Sequence, residues 1–119
     1  MKAVIGIVTA LALSLVAPSA WAHASLQRAE PKVGSEVSPP PQKVQLWFTE
    51  ALEPALSKIE VKTAAGKLVS TGQSDVASDD RHRLQVGVGS LPPGLYRVEW
   101  SVVSVDGHKT SGNFTFTVK

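Results

Sequence analysis

From residue 43 onward, apolar residues recur at every second position rather than at the spacing of a helix face, and this rhythm commits the chain to strands. Val44, Leu46 and Phe48 alternate with Lys43, Gln45 and Trp47, and Ile59 and Val61 alternate with Lys58, Glu60 and Lys62. Leu84, Val86 and Val88 keep the same beat. The clearest runs are Tyr96, Val98, Trp100 and Val102 against Arg97, Glu99, Ser101 and Val103, and Phe114, Phe116 and Val118 against Thr115 and Thr117. Successive side chains of a strand point to opposite faces, so each run has one apolar face that a second sheet must cover. Pro39-Pro40-Pro41, Ala65-Gly66 and Pro92-Pro93-Gly94 punctuate the runs, with Ala65-Gly66 read as a hairpin turn. The predicted fold is an all-β, immunoglobulin-like Greek-key sandwich of about seven strands. The polar stretch from Ser70 to Arg83, with Asp75, Asp79, Asp80 and Arg81, reads as a mobile surface connection.

Residues 1–22 have the form of a secretory leader. Met1-Lys2 is a positive start, the run from Ala3 to Val16 is apolar and uncharged, and Ala20-x-Ala22 offers the small residues a signal peptidase takes. Pro18 and Ser19 break the run and polar sequence follows from Ser25, whereas a membrane anchor needs about 20 apolar residues. Cleavage after Ala22 leaves one domain, residues 23–119, with His23 at its head; a chain of that length supports one modest core. Lys2 leaves with the leader, so the mature charge is near +1 and gives no case for a nucleic-acid partner.

The chain has no cysteine, so no disulfide braces the domain and no thiolate serves a metal. Its one methionine is Met1, so the mature chain has no thioether either. Any metal site must therefore be built from nitrogen and oxygen, not from the soft donors that favour Cu(I). A first-residue histidine suits that need, because its free α-amine and its imidazole Nδ1 close a six-membered chelate ring on one ion. The second candidate is Asp106-Gly107-His108, between the two clearest strands. Residues two apart on an extended chain share a face, so carboxylate and imidazole can converge there. Asp-Gly between alternating runs is equally the sequence of a hairpin turn. Together, His23, Asp106 and His108 offer three nitrogens and a carboxylate, a set that suits tetragonal Cu(II).

These residues resemble the CopC family of periplasmic copper-binding proteins, particularly its YobA-like members. The resemblance runs through Ala20-Trp21-Ala22-His23-Ala24, Pro31 with Gly34-Ser35, Leu46-Trp47-Phe48-Thr49-Glu50, and Pro93-Gly94-Leu95-Tyr96-Arg97-Val98-Glu99-Trp100. It ends in Ser101-Val102-Val103-Ser104-Val105-Asp106-Gly107-His108-Lys109-Thr110, with Gly112 and Phe114-Thr115-Phe116 beyond. It implies a Cu(II) site on His23, Asp106 and His108, one ion per mature chain, in a monomeric carrier or buffer that is not an enzyme. It also implies a CopD-type inner-membrane protein as partner. Some members add a methionine-rich Cu(I) loop; residues 51–85 here hold no methionine, which implies a Cu(II)-only form.

Other residues compete less well. His82, between Arg81 and Arg83, is expected in a solvated loop, where positive neighbours repel a cation. Glu50 suits either an orienting role toward His23 or His108 or a solvated strand end. Trp47 and Trp100 are expected as buried sandwich aromatics rather than redox relays. An amino-terminal histidine chelate is also how lytic polysaccharide monooxygenases hold copper, so a small copper oxidase is the rival function. A carboxylate bound to copper opposes it by stabilising Cu(II). A plain structural sandwich is the third reading.

Overall fold

The computed structural model describes residues 23–119; the predicted leader, residues 1–22, lies outside the described residues. Among the described residues the chain forms eight strands and one short 3-10 turn at Pro54–Leu56. The strands are β1 (Leu26–Glu30), β2 (Glu36–Val37), β3 (Lys43–Phe48), β4 (Lys58–Thr63), β5 (Ser70–Ala77), β6 (Asp80–Val88), β7 (Gly94–Val103) and β8 (Lys109–Val118). One sheet has the order β1-β3-β6-β5 and the other β2-β8-β7-β4. All neighbours are antiparallel except β2 and β8, which run parallel.

This is the strand order of an immunoglobulin-type sandwich. A tyrosine corner accompanies it, with the Tyr96 hydroxyl near the start of β7 donating to the Pro92 carbonyl. Val98, two residues on and fully buried, stands where antibody domains place a cysteine. Packing therefore replaces the disulfide. Val44, Leu46, Phe48, Leu84 and Val86 from one sheet face Ile59, Val61, Val98, Val102 and Phe116 from the other, all almost fully buried. Burying each such side chain contributes about 1.5–3 kcal/mol.

Two expectations need correction. The stretch from Ser70 to Arg83 is not a loose connection but β5 and the start of β6. The strand is polar because of what its inner side chains do. Ser74 Oγ accepts from the Ile59 amide at 2.7 Å and donates to the Ile59 carbonyl at 3.0 Å, while Ser70 Oγ accepts from the Val61 amide at 3.1 Å. Two serines thus close the free edge of β4 in place of another strand. The turn at Ala65-Gly66 is the hairpin turn expected, with Thr63 N donating to Lys67 O, an antiparallel bridge between Lys62 and Leu68 and Val69 N donating to Val61 O, before the chain crosses to the other sheet. Trp47 is not a core aromatic; it is half-buried on the outer face, with the Arg28 guanidinium 4.4 Å above its ring.

Candidate metal centre

Strands β7 and β8 pair without a break from Gly94–Val118 to Val103–Lys109, so their connecting turn is carried on the longest regular ladder in the fold. At its tip, Ser104 N donates to His108 O at 3.0 Å and Gly107 N donates to Ser104 O at 2.8 Å. Gly107 has φ +90°, a conformation that costs other residues dearly. Asp106 and His108 are therefore brought together by a tight turn rather than by the alternation of an extended strand. The turn and the site are the same structure. Leu52 bridges Ser104, and Val105 N donates to Ala51 O at 3.0 Å, which docks the tip against the chain leaving β3.

Within the turn, the buried Ser104 hydroxyl donates to Asp106 Oδ1 and accepts from the His108 amide at 3.3 Å. His108 Nδ1 lies 3.2 Å from the same carboxylate oxygen. The Ser104 hydroxyl first, and the His108 imidazole second, hold the Asp106 carboxyl below the usual carboxylate range against the opposing effect of burial. An ionised, acceptor-only carboxylate beside an imidazole is a donor pair a cation can use.

His23 reaches this turn from the other end of the described chain. Its ring meets the His108 ring edge to face, with centroids 5.5 Å apart and planes at 78°. His23 is exposed, His108 is half-buried, and Ala24 between His23 and Ser25 is fully buried in the core. Among the described residues, no three His, Cys, Asp or Glu side chains stand close enough to hold a metal ion by themselves. The structure thus gathers His23, Asp106 and His108 at one end of the sandwich without closing a side-chain cage.

Other residues fall as follows. Glu50 is half-buried directly after Thr49. His82 lies in β6 rather than in a loop, because the strand begins at Asp80; it is nonetheless exposed, with Nδ1 3.5 Å from Asp80 Oδ1. Trp100 packs edge to face on Phe48 at 5.1 Å, above Gly112, where a Cβ would come within 2.5 Å of the indole. Sequence reasoning missed the hydroxyls of Thr49, Ser104 and Thr110. Only Thr110 carried a signal, since it sits in the inward register of β8, where a polar side chain demands a partner, though nothing in the sequence says which.

Comparison with known proteins finds one family over nearly all of the described residues. The family model described as the CopC domain matches residues 26–119. The Escherichia coli K12 protein YobA is 41% identical over 110 residues, covering 92% of this chain and 89% of YobA. The crystal structure of CopC from Methylosinus trichosporium OB3b superposes with a TM-score of 0.76 at 34% identity, covering 82% of this chain and 94% of that one. PcoC, a methionine-rich copper resistance protein from Escherichia coli, does so with a TM-score of 0.71 at 32% identity, covering 82% of this chain and all of that one.

Proposed function

The chain belongs to the CopC family, and from that premise we propose that it is a periplasmic Cu(II) carrier or buffer, secreted by cleavage after Ala22, that serves copper homeostasis or resistance without catalysis. One ion per mature chain is held by the His23 amine and imidazole, the His108 imidazole and the Asp106 carboxylate. The observation that carries this reading is the edge-to-face meeting of His23 and His108, 5.5 Å apart, beside the ionised Asp106. Among the described residues, no three His, Cys, Asp or Glu side chains stand close enough to hold an ion by themselves. The α-amine freed by processing supplies the missing nitrogen, so the site matures only when the leader is removed.

The donor set also argues for the oxidation state. Two imidazoles, an amine and a carboxylate suit Cu(II), and Cu(I) prefers softer ligands that residues 23–119 lack. Reduction of bound Cu(II) to Cu(I) by an external one-electron donor is therefore expected to loosen the ion, and a CopD-type membrane protein is the fitting acceptor or donor. The same carboxylate weighs against an oxidase, since a negative charge at the ion opposes its reduction.

The test is a Cu(II) competition titration with electron paramagnetic resonance on protein that begins at His23 and on protein carrying one extra residue before it. Extension turns the His23 amine into an amide and moves the free amine one residue away, which breaks the six-membered chelate ring. Affinity is expected to fall by more than the roughly 10–100-fold lost when an outer-shell partner is removed. Equal affinity in the two proteins overturns the amine chelate.

A further inference from the structure

A first residue is the hardest ligand to hold still, because chain ends fray unless something ties them down. Here the three residues at the head of the domain are tied from both sheets. Thr49, just past β3, donates its hydroxyl to the His23 carbonyl at 3.2 Å and accepts from the Ser25 amide at 2.9 Å. Its own amide donates to the Ser25 carbonyl at 3.0 Å. One hydroxyl thus spans the residues on either side of Ala24. From the opposite sheet, Thr110 on β8 donates its hydroxyl to the Ala24 carbonyl at 2.8 Å. Ala24 itself is fully buried in the core, which fixes the arm where the two threonines hold it.

We propose that Thr49 and Thr110 are positioning residues that preorganise the amino-terminal arm, setting the distance between His23 and His108 before copper arrives. Thr110 is two residues from His108, so the group that anchors Ala24 and the imidazole that faces His23 ride on the same stretch of chain. Thr49 fixes the His23 carbonyl from the other side. Without the clamp, copper binding must order the arm as well as ligate, and that ordering lowers affinity. The inference rests on the reading that His23 is a ligand, and deepens it.

The experiment uses processed protein beginning at His23, as wild type, Thr49→Val, Thr110→Val, and the Thr49→Ser and Thr110→Ser variants. Valine keeps the shape and removes the hydroxyl; serine keeps the hydroxyl. Each valine variant is expected to bind Cu(II) about 3- to 10-fold more weakly, the size of one lost hydrogen bond, with serine within about twofold of wild type. In the metal-free protein, the nuclear Overhauser contact between the His23 and His108 rings should fade in the valine variants while core amide shifts stay in place. Wild-type affinity in both valine variants, or a persistent ring contact, overturns the clamp. So does a loss that serine fails to restore. If the one-residue extension leaves affinity unchanged, the amine chelate fails instead, and the metal-free ring contact still decides the clamp.

Discussion

Two hairpins in this domain each carry an aspartate and a histidine two residues apart, Asp80 with His82 on β5–β6 and Asp106 with His108 on β7–β8. In both, imidazole Nδ1 lies near carboxylate Oδ1, at 3.5 Å and 3.2 Å. The pairs even flank one segment, since Leu52 N donates to Arg81 O and Leu52 bridges Ser104. Their surroundings differ. His82 has 49% of its side chain exposed and an arginine on each side; His108 has 24% exposed, a buried serine behind its aspartate and His23 in front. An aspartate and a histidine at this spacing occur on two hairpins here and so do not by themselves mark a site. A second imidazole brought from far along the chain sets one pair apart.

The sharpest way to break the comparison is to remove each histidine. His108→Ala should lower Cu(II) affinity by more than about 100-fold, beyond the range of an outer-shell loss, while His82→Ala should change it less than twofold in competition titrations. Comparable losses at the two positions would make the pairs equivalent and defeat the assignment.

The turn between the paired residues offers a second contrast. Gly107 has φ +90° with open space around it, so Gly107→Ala strains the backbone without a clash. Denaturant unfolding should show a loss of about 1–2 kcal/mol. Arg81→Ala, in ordinary strand, should stay within about 0.5 kcal/mol. A neutral Gly107→Ala would mean that the tip relaxes freely and does not hold its ligands in place.

The smallest expected effect concerns protons. The folded-state pKa of Asp106 is depressed, so its contribution to stability is present above the ordinary carboxylate range and is lost as pH falls through the folded value. Ser104→Ala removes the chief cause. The Asp106 carboxyl should then titrate closer to its ordinary range by NMR, and acid unfolding should lose part of its pH dependence. An unmoved titration would assign the depression to His108 instead.

Much of the fold was readable in advance because a buried face has to repeat every second residue. Val44, Leu46, Phe48, Val98 and Phe116 all lie in the core where that rhythm puts them. Strand β5 was illegible by the same rule. Two of its inward positions are serines that bond to the backbone of β4, and hydroxyls replacing a missing strand look like loop composition. Trp47 was misjudged by size, although its register placed it opposite the core residues Leu46 and Phe48. The site was legible as a set of residue types. The threonine clamp was not, since its members gain meaning only from partners far along the chain.

The sequence by itself determined the two-faced strands, the absence of soft ligands and the stock of nitrogens and carboxylates. Those follow from side-chain identity and from periodicity, which are local. The resemblance pointed to Asp106 and His108, but the physical meeting of that pair with His23 is a product of the tertiary structure. That meeting depends on sheet order and register, on Thr110 lying in β8 opposite Ala24 and Thr49 lying beyond β3, and no local pattern encodes the distance between residues that folding alone brings together.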